Sequence, residues 1–506
     1  MSDESVYAAL RSDSSLVVVE APGGCGKTHQ GAGYARDAVL PRGQGRVLIL
    51  THTHAACSVF SQRTRDVAAQ VEIRTIDSLI AQLSTAYHVG LGLPADPALW
   101  ARQNTDGHDW LAVKAAALLR RYPGIAHALA CRYPTIICDE HQDSNGERHA
   151  LIMAMHQQGA KLRIFADPMQ SVFAPKVYPG GCLPLDWAEL TGAADRFEQL
   201  DHPHRWNAGS PELGQWVLRA RAALQRREPV DLRRDLPAAV TVVRADNQAQ
   251  RALEFRPAAA DRRLIDVFAN APGTLMVLTY TNAATRSLRS FFLRQIPLWE
   301  GHRRDALETY VDALTVANSD RNAVAAAVVA FMQSTSIGFT QGAFANNFTQ
   351  DVREGCVRRR RDKPAKLQEL ARLIVAEPDH RGASKVLMAL ADLRRNDDDF
   401  RSIQVDGARE FLEAGKLGAF ESADAGLAEI SQRRTYTRPS PPPKCISTIH
   451  KAKGLECQNV IVAPCDAASF GNNDRARCLL YVAFSRPTHR LMLVVPRENP
   501  SPLLRI

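Results

Sequence analysis

A chain of 506 residues exceeds what one hydrophobic core can serve, so two to four domains are expected. With 45% hydrophobic and 23% charged residues, no apolar run long enough to span a bilayer and an acidic, polar MSDES start, the sequence argues against membrane and secreted classes and sets the expected location as cytoplasmic. A net charge of +9 suits a polyanionic partner, and ten scattered cysteines with no C-x-x-C pair read as reduced core thiols.

The first predicted element is the run VVVE, whose β-branched residues suit a strand buried on both faces. It breaks into APGGCGKT, in which Ala21, Pro22, Gly23, Gly24, Cys25, Gly26, Lys27 and Thr28 have the spacing of a phosphate-binding loop, with alanine in the usual first glycine position. Glycines leave backbone N–H groups free to turn toward an anion. Lys27 is then placed to reach β/γ oxygens and the Thr28 hydroxyl to meet Mg2+, so ATP and Mg2+ are the expected ligands. A chance glycine-rich turn is the bland alternative, and the preceding strand argues against it.

Further apolar runs follow: RVLIL (46–50), IICDE (136–140) and LRIFAD (162–167), alternating with helical stretches as in a parallel α/β sheet. TIICDEHQD supplies carboxylates at a strand end, Asp139 for the metal and Glu140 for the attacking water. FADPMQSVF places Asp167 and Gln170 after another strand, where the Gln170 amide is a candidate γ-phosphate sensor. Downstream, HPHRWN and YVAFSRPTHR hold Arg205 and Arg486, candidates to neutralise a transferring phosphoryl group. On spacing alone each arginine also reads as a surface ion pair. A second strand series, TLMVLTYT (274–281), CISTI (445–449), NVIVAP (459–464) and LMLVVP (491–496), predicts a second α/β core. Roughly 300–435 reads as alanine- and leucine-rich helices, followed by the Pro-rich link RPSPPPK (438–444). Within it VRRRRDKPAK (357–366) reads either as a phosphate grip or as a solvated helix end.

The ordered series APGGCGKT, LTHTHAA, TIDSL, CDEHQD, ADPMQS, PHRW, STIHKAKGLE and YVAFSRP resembles the motif set of UvrD/Rep-type superfamily 1 helicases from residue 15 to near 490. The resemblance implies an α/β fold with two RecA-like P-loop NTPase cores plus helical insertions. It divides the chain into a first core (1–80 and 131–200) with a small helical insertion (81–130), and a second core (201–299 and 436–506) with a reduced helical accessory insertion (300–435). It implies an ATP-dependent single-stranded DNA translocase and 3′-5′ helicase acting on single strands or 3′-tailed duplexes. Carried over by position, Lys27, Glu140, Gln170, Arg205 and Arg486 take catalytic roles, and Thr28 and Asp139 hold the metal. His204, Gly454 and Glu456 join the nucleotide site, His204 where a tyrosine usually stacks on adenine. His52, Thr53, Thr75, Ser78, Phe173 and His450 fall on the DNA path.

Three departures are visible. No glutamine precedes Gln30 to read adenine, His52 stands where a stacking phenylalanine is common, and Pro175 stands where a stacking tryptophan is expected. Fewer stacking platforms make unwinding a weaker expectation than ATP hydrolysis. The alternative is a DNA-sensing ATPase subunit that licenses a partner nuclease, in repair or anti-phage defence. The helicase-like subunit of Gabija systems is similar in size and motif set.

Overall fold

The computed structural model describes residues 2–41, 43–144, 146–173, 176–249, 254–299, 305–436 and 441–506. Two compact units emerge, one formed by Met1–Leu288 with Thr448–Ile506 and the other by Arg289–Ser447.

The first unit contains a six-stranded sheet, β1 (Leu16–Glu20), β2 (Val47–Thr51), β3 (Val71–Thr75), β4 (Thr135–Cys138), β5 (Lys161–Ala166) and β6 (Arg196–Gln199), in the order β3-β2-β4-β5-β1-β6. All its pairings are parallel. Alternation along each strand divides the side chains between two cores. Val17, Val19, Ile49, Ile137 and Phe165 lie in one cluster, whereas Val18, Leu48, Leu50, Ile136 and Ile164 lie in another. Both faces are therefore buried, which explains the unbroken apolar runs. Strand order reverses around the central strands, so the carboxyl ends of β1, β4 and β5 open onto the crevice where doubly wound sheets bind ligands.

The second sheet has five strands, in the order Lys444–Thr448, Leu275–Thr279, Cys457–Val462, Pro487–Val495, Val240–Arg244. The last four pair in parallel. Its helix Asp474–Phe484 is almost wholly buried, and its C-terminal end leads directly into Arg486.

The second unit is mainly helical. Helices Asp305–Ala317, Arg321–Thr335, Asn346–Arg353, Asp362–Ala376 and His380–Asn396 share one apolar cluster that includes Val311, Val328, Phe348, Leu370 and Leu387. Within VRRRRDKPAK, Arg360 pairs with buried Asp351 at 3.0 Å, while Arg358 and Arg359 are exposed ahead of the helix Asp362–Ala376. Residues 438–440 of the Pro-rich link lie outside the described residues. Among the described residues, no helix is long and apolar enough to cross a membrane.

Candidate active site

The phosphate-loop residues leave β1 with Ala21, Pro22, Gly23 and Cys25 buried. Gly24 (φ +88°) and Gly26 (φ +90°) take left-handed backbone, which residues with a Cβ rarely adopt. Gly26 caps the helix Lys27–Asp37, so Lys27 and Thr28 open that helix and its free N–H groups face the loop. Burial, and then Asp167, push the Cys25 thiol up to about 12, so it packs as a neutral group.

Lys27 Nζ lies 2.5 Å from Glu140 Oε1. Burial works against the lysine charge, but Glu140, Asp139 and Asp167 outweigh it and raise its pKa. Glu140 occupies left-handed backbone (φ +53°) just past β4, a conformation unfavourable for a glutamate and characteristic of functional turns. Its carboxyl is held well below the usual range: burial opposes ionisation, but Lys27 and Lys453 prevail. Asp139 is shifted the other way, upward, by burial and by the adjacent Glu140 charge. Asp139 Oδ1 is buried with no hydrogen-bond partner among the described residues. An orphaned carboxylate oxygen beside a phosphate loop is a fitting place for a divalent cation.

The two distant arginines both reach this site, Arg205 from the segment after β6 and Arg486 from the residue before the strand Pro487–Val495. Arg205 donates its backbone N–H to Gly24 O (3.0 Å), Nη1 to Ser485 O (2.7 Å) and Nη2 to Glu456 Oε1 (2.8 Å). A Cβ placed on Gly24 would lie 2.7 Å from Trp206 Cζ3 and 2.9 Å from Arg205 Cβ. Arg486 is 1% exposed and donates to Val482 O (3.0 Å), Leu455 O (3.2 Å), Ser485 Oγ (2.6 Å) and Gln170 Oε1 (3.4 Å). Burial first, then the charge of Arg205, pull its guanidinium down to about 10. A buried cation beside another cation, with neutral acceptors only, suits an arriving anion.

Asp167, together with residues that motif spacing did not single out, holds this arrangement together. Asp167, fully buried, accepts from Gln170 Nε2 (2.9 Å), the Gly23 amide (3.2 Å), Tyr481 Oη (3.0 Å) and Arg221 Nη2 (2.8 Å). Arg221 also reaches Glu20 Oε1 at 2.6 Å. Lys453 of KAKGLE donates to both oxygens of Asp143 (2.6 Å) and to Gln170 O (2.7 Å). Gly454 takes φ +81°, the turn that lets Glu456 return toward Arg205. His204 Nε2 lies 2.8 Å from Asp3 Oδ2, and Gln30 Nε2 donates to Asp3 O at 3.2 Å, so the N-terminal helix Ser2–Arg11 meets His204.

Comparison with family models finds the UvrD/REP helicase N-terminal domain over residues 96–176 and the UvrD-like helicase C-terminal domain over residues 444–494. These two matches support a helicase of the UvrD/Rep type. Domains of this kind indicate an ATP-hydrolysing DNA helicase. A search of curated proteins finds no match.

In this helicase the residues expected on the DNA path follow strand ends. Thr53 and Thr75 each cap a helix, accepting from Ala56 N (3.1 Å) and Ser78 N (3.2 Å), while Ser78 Oγ returns a bond to Thr75 O. Such N-termini present free N–H groups to phosphates. Phe173 is 49% exposed, with the His450 ring at 6.4 Å and Lys453 Nζ at 5.7 Å from its centroid. His52 is engaged inward: its Nε2 lies 3.1 Å from Ser144 Oγ, and Ser144 in turn lies 3.3 Å from His141 Nδ1. Pro175 falls outside the described residues.

Proposed function

We propose that the helicase is an ATP-driven translocase on single-stranded DNA that separates 3′-tailed duplexes in the 3′-5′ direction. The reading is supported by the convergence of Arg205 and Arg486 on the phosphate loop and Gln170. This is the arrangement a closure-driven phosphoryl-transfer site needs.

Thr28 and Asp139 would hold Mg2+, which when bound neutralises phosphate oxygens. Lys27 leaves Glu140 for the triphosphate, and that exchange frees the Glu140 carboxylate to orient a water molecule and accept its proton. As the water oxygen bonds to the γ-phosphorus, the bond to the β–γ bridging oxygen breaks and ADP leaves. Arg205 and Arg486 stabilise charge on the equatorial oxygens, a contribution typically of about 10³–10⁵ in rate. Loss of phosphate removes the anion that Arg486 and Gln170 share, and the second core relaxes. Alternating grip through Thr53, Thr75, Ser78, Phe173 and His450 converts that cycle into movement.

A strand-displacement assay on blunt, 5′-tailed and 3′-tailed duplexes tests the reading. Displacement that depends on a 3′ tail and on ATP supports it; displacement from a 5′ tail alone refutes the polarity. The engagement of His52 with Ser144, at the position of a stacking ring, favours a second reading. In it the chain is a DNA-sensing ATPase that licenses a partner nuclease. DNA-stimulated ATP turnover without displacement on any substrate would select it.

A further inference from the structure

Beneath the phosphate loop, Asp167 is the centre of a buried hydrogen-bond network. We infer that Tyr481 is a positioning residue for ATP hydrolysis, its hydroxyl tying the phosphate loop to the helix that delivers Arg486. The inference rests on the ATP-site reading above.

Tyr481 is completely buried near the end of the helix Asp474–Phe484, five residues before Arg486. Its Oη accepts the Gly23 amide at 2.8 Å and donates to Asp167 Oδ2 at 3.0 Å. The same Asp167 oxygen takes the Gln170 side-chain amide at 2.9 Å, which fixes the side chain that presents Oε1 to Arg486. Asp167 is itself immobilised through its other oxygen by Arg221, which is anchored on buried Glu20 at the end of β1. One hydroxyl therefore joins three parts that must register in hydrolysis: the loop that cradles phosphate, the amide that senses it and the arginine that neutralises it. Burial, and then Asp167, raise the Tyr481 pKa well above the ordinary phenol value, so the hydroxyl remains a donor throughout the physiological range. Displacements of about 1 Å are enough to cost a hundredfold in rate. A phenol shared between two cores is suited to prevent such displacement when the cleft closes and to be the bond broken when it opens.

The test is steady-state ATP turnover of full-length Tyr481→Phe with saturating oligonucleotide, beside wild type and Lys27→Ala. The expected result is a kcat lower by about tenfold or more, with KM for ATP changed by less than about threefold, because binding contacts remain while alignment is lost. The discriminating measurement is Tyr481→Phe in the Arg486→Ala background. If Tyr481 acts through Arg486, the second change removes little of the residual turnover; a full, additive loss would mean a separate structural role and overturn the inference. An unchanged kcat in the single variant overturns it equally. If phenylalanine prevents folding, 3-fluorotyrosine at 481 keeps the ring and weakens the hydroxyl as an acceptor for Gly23; reduced kcat supports the inference and wild-type kcat refutes it. Should wild type fail to hydrolyse ATP, or Lys27→Ala retain turnover, the ATP-site reading itself fails, a result distinguishable from either outcome for Tyr481.

Discussion

Lys27 Nζ and Glu140 Oε1 lie 2.5 Å apart, so the cation expected on the triphosphate and the carboxylate expected on water neutralise one another before substrate arrives. Substrate binding must break this pair. Glu140→Gln is therefore expected to lower ATP turnover by about 10²–10⁴-fold while tightening ATP binding, because Lys27 no longer has to leave a carboxylate. Titration calorimetry with ATP separates the two effects, and weaker binding in the variant would contradict the exchange. Lys27→Ala, by contrast, should lose both binding and turnover yet keep salt-sensitive DNA binding.

Arg486 presents the opposite case, a buried cation whose acceptors are all uncharged and whose neighbour Arg205 repels it. Arg486→Met is expected to cut turnover by about 10³–10⁵-fold while leaving the melting temperature of the nucleotide-free protein unchanged or higher. Burial and Arg205 outweigh the pull of Glu140 and Glu456 on this charge, so its removal offsets the lost hydrogen bonds. Differential scanning calorimetry decides the point, and a clear drop in melting temperature would mean that Arg486 is chiefly structural.

Acid should destabilise this fold through its buried imidazoles. Burial lowers the pKa of His149, which faces His141, below the ordinary 6.5. Burial also lowers that of His52 from 6.5, against the opposing pull of Asp143 and Asp77 and with the help of Arg148 and Lys453. Below that ordinary value the unfolded chain takes up protons that the folded chain refuses, so the contribution of these histidines is complete above about pH 7.5 and is lost as the pH falls through and below 6.5. Each such histidine contributes up to about 1.4 kcal/mol per pH unit within the window. Urea denaturation across that range should show the decline, and His149→Gln should make it shallower; an unaltered slope would exclude His149 as a contributor.

Phe173, proposed to stack on DNA, carries an exposed ring flanked by His450 and Lys453. Removing one stacking platform costs about 1–3 kcal/mol per base. Phe173→Ala should accordingly weaken single-strand binding by roughly five- to 150-fold. Because no phosphate contact is lost, the slope of affinity against salt should stay the same. A shallower slope would instead indicate that the change disturbed neighbouring basic contacts such as Lys453.

How much of this was legible depended on where each residue sits in the sheets. β1, β2, β4 and β5 are buried on both faces, so their apolar runs announced a parallel sheet. The edge strands gave no such signal: Arg196–Gln199 is largely exposed and Val71–Thr75 alternates with charged residues. Lys27, Glu140 and the loop glycines could be read because their chemistry depends on neighbours in the chain. Arg221 and Tyr481 could not, because what they touch lies 54 residues away in one case and 314 in the other. Tyr481 sits in an almost wholly buried helix, where an aromatic residue reads as core, and Arg221 in a helix where an arginine reads as surface. Their roles follow from topology, which brings β5 of the first sheet against helices that precede and belong to the second.

The close approach of Trp206 and Arg205 to Gly24 means that this glycine answers to a second requirement besides phosphate. Gly24→Ala would insert a methyl group as a wedge, 2.7 Å from Trp206 Cζ3, and jam the jaws apart. Such a protein is expected to occupy DNA without cycling and to obstruct wild-type molecules queued behind it on the same strand, a poisoning effect that a mixed-enzyme displacement assay would register as inhibition out of proportion to its share.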